Sequence, residues 1–147
     1  MKKRRQSREF ALQVLYQWDI TRQDIYRTIG LIGECFSLEK GKDEFAERLI
    51  LGVVEHVEKL DQLIEKYSEN WRLERMPVID RNILRIAAFE LQYCDEIPPK
   101  VTLNEAIDLG KRYGTEDSGS FINGILDRIQ NEAIRKPLQP RSVSKSP

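Results

Sequence analysis

Five basic residues stand among the first eight: Lys2, Lys3, Arg4, Arg5 and Arg8, with no acid between them. Arginine donates forked hydrogen bonds to phosphate oxygens and stacks its planar head on bases, so this cluster has the chemistry of RNA recognition. Arg4, Arg5 and Arg8 share a side if the first helix extends upstream through them, because residues three or four apart are helical neighbours. Tyr16, two turns beyond Arg8, then offers a surface for base stacking. Taken alone, the same residues also fit a solvated basic terminus or a localisation signal, and Tyr16 a packing role.

Elsewhere, chemistry has little to work with. His56 lies between Val53 and Val57, with no cysteine or second histidine at ligand spacing, so it reads as a core or boundary residue and no metal site is expected. Glu105, Asp108, Glu116 and Asp117 sit near helix starts, where carboxylates complement the helix dipole. Gly114, Gly119 and Gly124 make no phosphate loop, since no strand precedes them and no Gly-Lys-Ser/Thr follows. Cys35 and Cys94 lack redox or metal spacing, and Cys94 has no catalytic partner. We therefore expect no enzyme, no catalytic residues and no cofactor.

The elements that must position these groups are helices. Hydrophobic residues make up 40% of the 147-residue chain and charged residues 33%, enough for one core and too apolar for general disorder. The formal net charge is zero, yet the basic start leaves an acidic body behind it, an asymmetry that suits a polyanionic partner. No apolar run is long enough to span a bilayer, and no export signal follows the basic start. With unpaired cysteines, a reducing cytoplasm is expected.

Phe10, Val14 and Trp18 recur every four residues, so a first helix is expected from a Ser7 cap to about Ile20. A second spans about Asp24 to Cys35, and Ser37 to Lys42 reads as a loop. Asp43 to Ser68 is periodic throughout, with a break expected near Lys59 to Asp61. Pro77 opens a helix running to about Cys94, with Ile79, Ile83, Ile86 and Ala87 inward. Thr102 and Glu105 form a capping-box pattern, Gly114 offers a left-handed stop, and Asp117 or Ser118 starts the last helix. The expectation is an all-α compact bundle of about seven helices over residues 1–136, and a disordered tail over 137–147 rich in Pro, Ser and basic residues.

Four segments carry a more specific signal. They are R-R-Q-S-R-E-F-A-L-Q-V-L-Y-Q-W-D (Arg4 to Asp19), D-R-N-I-L-R-I-A-A-F-E-L (Asp80 to Leu91), I-P-P-K-V-T-L-N-E-A-I-D-L-G-K-R-Y-G (Ile97 to Gly114) and F-I-N-G-I-L-D (Phe121 to Asp127). In this order and at these separations, they resemble the NusB family. Thr21 to Lys42 matches least, and the tail after Pro137 lies outside the pattern. The resemblance implies two packed three-helix-bundle halves. It implies binding to the boxA element of ribosomal RNA leaders, a single-stranded RNA, as a heterodimer with the small-subunit ribosomal protein NusE. Other Nus factors and RNA polymerase join indirectly, and termination is suppressed. It places RNA contacts on Arg4, Arg5, Arg8, Tyr16 and Phe121, more weakly on Arg85, and the NusE-facing surface at Asp80 and near Asp117. A core role for Phe121, and capping or surface roles for Asp80 and Asp117, stay open. The resemblance is also compatible with a homodimer.

Two rival readings remain. One is a scaffold whose basic arm holds an acidic protein. The other is an accessory domain in ribosomal RNA modification, but a fused methyltransferase needs an α/β nucleotide-binding domain, for which this chain has neither the length nor a glycine-rich strand–helix turn.

Overall fold

The computed structural model describes residues 2–35, 43–69 and 71–134. Among these it holds seven α-helices and no strand: α1 (Lys2–Thr21), α2 (Ile25–Cys35), α3 (Glu44–Glu55), α4 (Val57–Tyr67), α5 (Val78–Tyr93), α6 (Pro99–Tyr113) and α7 (Ser118–Arg128). A 3-10 turn, Leu73–Arg75, precedes α5, and a π-helical stretch, Ile129–Ile134, follows α7. The loop expected at Ser37 to Lys42 and the tail expected over 137–147 lie outside the described residues.

The architecture is organised around α5, which packs on α1, α3, α4, α6 and α7. α1 holds α2 and α3 on its other sides, while α6 and α7 pair with each other. Ile79, Ile83, Ile86 and Ala87 suggested one inward face for α5. In fact every residue from Asn82 to Leu91 is buried, as befits a helix enclosed on all sides. That enclosure obliges α5 to bury Asp80, Asn82, Arg85 and Glu90 as well. No buried side-chain nitrogen or oxygen among the described residues lacks a hydrogen-bond partner, so the desolvation of these groups is offset by paired contacts.

Several boundaries differ from the sequence expectation. α1 starts at Lys2, upstream of Ser7, whose hydroxyl lies 3.0 Å from the Lys3 carbonyl oxygen and 2.8 Å from both Asp43 carboxylate oxygens. Ser7 is therefore a bridge to the start of α3, where Asp43 accepts the Ala46 N–H at 3.0 Å as an N-cap. The break between α3 and α4 falls at His56, and Asp61 lies inside α4 as an ion-pair partner. α6 begins at Pro99, so Thr102 and Glu105 form no capping box and are free for other contacts. Gly114 closes α6 with φ −99°, so it is not left-handed. A Cβ there would lie 2.3 Å from Ser118 Oγ, so Gly114 supplies room for the start of α7.

α3 and α5 cross at Gly52, where a Cβ would meet the buried Phe89 ring at 2.2 Å. Gly52→Ala is expected to lower the unfolding free energy by roughly 1–3 kcal/mol, because overpacking outweighs the gain in helix propensity. Gly124 in α7 faces open space, so Gly124→Ala should raise it by up to about 1 kcal/mol. Urea unfolding of the two variants checks the opposite signs.

Candidate nucleic-acid interface

Because α1 extends to Lys2, the basic residues of the arm take fixed helical positions. Arg4 and Arg8 lie one turn apart on the same side, and both planar heads lie over the Phe45 ring, the guanidinium carbons 4.7 Å and 5.4 Å from its centre. Arg5 faces α6 instead.

Arg8 is not a surface residue. It is 3% exposed, and its guanidinium makes a forked contact with the equally buried Glu90 of α5, Nε to Oε2 at 2.6 Å and Nη2 to Oε1 at 2.9 Å. Thr102 of α6 donates its hydroxyl to Glu90 at 2.7 Å, and Glu105 lies 3.8 Å from Arg8 Nη1. One buried pair thus joins α1, α5 and α6. The sequence reading put Arg8 at the RNA-facing surface; the structure places it in the interior instead, with Nε and Nη2 both engaged by Glu90.

Arg5 occupies the next position outward. Its Nε and Nη2 donate to the two Glu105 oxygens at 3.1 and 2.9 Å, and Nη2 also reaches Asp108 at 2.9 Å. The hydrogen bond and charge of Glu105 push the Arg5 pKa up, and the Arg5 hydrogen bond in turn lowers that of Glu105. Arg5 stays partly open to water, its side chain 39% exposed. Lys3 and Arg4 are exposed, Arg4 against the Phe45 ring and with its charge acting on Glu96. Further along the α1–α6 seam, Glu9 pairs with the exposed Arg112, beside the exposed Tyr113.

Tyr16 is half-buried on α1. Phe121, in the first turn of α7, is half-buried and packs against the core, with the exposed ring of Trp71 against it at 5.5 Å and 69°. Phe121 thus packs on the core, as one of its two expected roles required, and keeps part of its surface accessible. Phe45, Arg112 and Trp71 were not anticipated. Asp43 capping α3, and the spacing of Arg112 from Asp108 and Glu105, were the available signals for the first two.

Arg85, expected more weakly as an RNA contact, is also placed in the interior, at 2% exposure. Its Nε and Nη2 engage Asp61 of α4 at 2.8 and 2.9 Å, and Nη1 reaches Asp19 of α1 at 3.0 Å. Asp19 also accepts from Arg81 at 2.7 Å and Asn82 at 3.0 Å. Burial pushes the Asp19 carboxyl up, but the Arg81 hydrogen bond, the Arg85 charge and the Asn82 hydrogen bond together outweigh it and hold it at about 2.

Asp80 is buried too, accepting the Ser118 hydroxyl at 2.8 Å, while Ser118 Oγ accepts the Thr115 N–H at 2.9 Å. Burial raises the Asp80 pKa, and the Ser118 bond only partly opposes it. The structure thus places Asp80 beneath the surface expected to face NusE, where it sets the start of α7. Asp117, just ahead of that helix, is exposed and makes no side-chain cap. Burial lifts the Cys94 thiol to about 11, so it is a poor nucleophile. His56 stacks on Tyr93, ring centroids 4.6 Å apart.

No helix among the described residues is long and apolar enough to cross a membrane. Comparison with known proteins gives a consistent picture. The sequence model of the NusB family matches residues 5–131. The chain is 46% identical over 136 residues to the transcription antitermination protein NusB of Syntrophus aciditrophicus (strain SB), covering 92% of this chain and 84% of that protein. It is 45% identical over 138 residues to its counterpart in Myxococcus xanthus (strain DK1622), covering 91% and 98%. Among solved structures, T. maritima NusB superposes with a TM-score of 0.78 at 42% identity, over 88% of this chain and 91% of that one. A chain from a structure of antitermination factors NusB and NusE in complex with dsRNA gives 0.80 at 30% identity, over 89% and 98%.

Two outcomes follow from the buried pairs. Arg8→Ala leaves Glu90 charged and unpaired in the interior and should cost about 3–5 kcal/mol of stability, read by urea unfolding at neutral pH. The folded Asp19 pKa lies below its ordinary value of 3.8, so its contribution is complete above about pH 4 and fades as pH falls towards 2. The stability gap between the native chain and Asp19→Asn should therefore be widest above pH 4 and close on acidification. A gap independent of pH would refute the assignment.

Proposed function

The chain belongs to the NusB family of transcription antitermination proteins, and from that premise we propose that the outward edge of its first helix binds boxA-type RNA in company with NusE. The observation that carries this reading is the division of labour within the arginine cluster. Arg8 is committed to Glu90 and fixes the helix, while Lys3, Arg4 and part of Arg5 face water from that fixed support. A phosphate chain laid along this edge meets cations whose positions are set before binding, so little ordering entropy is lost.

Arg4 on the Phe45 ring presents a flat cation over an aromatic, a surface that suits both phosphate and base. Tyr16 and Phe121 supply ring surface further along, where unpaired bases can stack. Glu105 and Asp108 compete with RNA for Arg5, so its contribution depends on displacing or sharing those bonds. Asp117, exposed near the start of α7, is the residue of the expected NusE side that a protein partner can touch directly, and Asp80 acts through Ser118. The related NusB–NusE complex that holds dsRNA supports this pairing of partners. Such a factor works alongside RNA polymerase and the other Nus factors in the cytoplasm, as a binding protein rather than an enzyme.

The test is an anisotropy titration with boxA-type oligoribonucleotide, with and without NusE. Arg4→Ala with Arg5→Ala should weaken RNA binding by about tenfold or more while preserving helicity, and native affinity should fall steeply with salt. A double variant of unchanged affinity would refute the arm as the RNA contact. Binding of NusE without any RNA affinity would favour a protein scaffold.

A further inference from the structure

The fold treats its two tryptophans oppositely. Trp18 is 8% exposed in the core, whereas Trp71 is 48% exposed. The turn that carries Trp71 is nevertheless closely tied. The buried Ser68 donates its hydroxyl to the Trp71 carbonyl at 2.8 Å, the Trp71 N–H donates to the Ser68 carbonyl at 3.2 Å, and Glu65 accepts the Leu73 N–H at 2.7 Å. Arg128 of α7 donates to the Tyr67 carbonyl at 2.6 Å, pinning the end of α4 to the helix that carries Phe121. A large apolar ring held in water on a braced turn is a candidate contact surface.

The surroundings indicate what it contacts. The Phe121 ring lies 5.5 Å away, edge to face, so the two rings form one aromatic unit. Arg72 adjoins Trp71 in the chain and Arg75 ends the short 3-10 turn that follows, both exposed, and Arg128 is partly exposed. Three carboxylates share the area: Glu65 accepts the Leu73 N–H, Glu69 lies 3.3 Å from Arg128, and Glu74 lies 3.8 Å from Arg72. The Arg72–Glu74 pair is loose and exposed at both ends, so it is worth little and yields readily to a phosphate. Arg75 takes part in no ion pair among the described residues. Rings interleaved with guanidinium groups suit an unpaired nucleotide strand, whose bases stack while its phosphates meet arginine.

We propose that Trp71, braced against Phe121 and flanked by Arg72 and Arg75, is a base-stacking platform that extends the RNA path to the turn between α4 and α5. This rests on the RNA-binding reading above and adds a contact residue to it. The position explains why a costly exposed indole is fixed here: it continues the aromatic surface that Phe121 begins.

The experiment uses the full chain and a single-stranded boxA-type oligoribonucleotide, read by tryptophan emission, acrylamide quenching and anisotropy. Trp18 is buried, so acrylamide reports chiefly on Trp71. RNA should shield Trp71 from acrylamide. Trp71→Ala should weaken binding about tenfold, and Trp71→Phe, which keeps a stacking ring, should remain within about threefold of native. Unchanged far-ultraviolet circular dichroism guards against misfolding, and the Phe variant keeps the comparison informative if the Ala variant unfolds. If the native chain binds RNA and Trp71→Ala binds equally well, the platform is wrong and the RNA reading survives. If NusE alone shields Trp71 and RNA does not, the surface faces protein and the proposal is overturned. If the native chain binds no RNA, the underlying reading fails first.

Discussion

A guanidinium withdrawn from water needs a carboxylate of matching shape, or the element that carries it cannot dock. Arg8 and Glu90 meet that condition with two parallel hydrogen bonds in a site almost closed to solvent, and Thr102 occupies a further position on the carboxylate. Each side chain comes from a different helix, so the position of α1 against α5 and α6 is set by directional bonds in addition to apolar packing. A sliding or rotating α1 would strand a buried charge, an outcome costing several kcal/mol. The cluster Asp19–Arg81–Asn82–Arg85–Asp61 does the same two to three turns along, joining α1, α5 and α4. Between these two anchors, α1 is a rigid rail.

What the rail presents follows from helical period. Residues on the Arg8 side turn inward, and Arg4, one turn earlier, emerges where α3 contributes Phe45. Residues on the Arg5 side run along α6 and meet Glu105, Asp108 and, through Glu9, Arg112. The edge is thus a mixed row of cations and acids. Acidic neighbours temper the cations and make binding depend on where a partner's charges fall, which favours selectivity over indiscriminate attachment to polyanions. At the far end the Asp80–Ser118–Thr115 chain sets the start of α7 and so the place of Phe121 and Trp71.

Much of this was legible in the sequence. The apolar period of α1, the periodic run from Asp43, the proline ahead of α5 and the end of α6 at Gly114 are local signals that fold locally, although Gly114 stops its helix without a left-handed turn. The arginine cluster was legible as a cluster, but its division was not. Nothing within Arg4, Arg5 and Arg8 says which one turns inward, because the deciding partner, Glu90, lies 82 residues away. Arg85 and Asp80 entered as sites only through the family resemblance, and their burial was hidden for the same reason: the groups that pair with them, Asp61 and Asp19 for Arg85 and Ser118 for Asp80, sit on other helices. Thr102 and Glu105 matched a capping box, yet α6 starts upstream and both serve long-range pairs. Trp71 gave no periodic signal, since it belongs to a turn whose bracing comes from Ser68 and Glu65.

Guanidinium nuclear magnetic resonance tests the central claim most directly. With arginine Nε–H signals assigned, boxA-type RNA is added to the chain at moderate salt. The account predicts that the Arg4 and Arg5 signals shift, while that of Arg8 keeps its position and its slow exchange with water. An Arg8 signal that moves with RNA as far as the other two, or that exchanges freely beforehand, would contradict it.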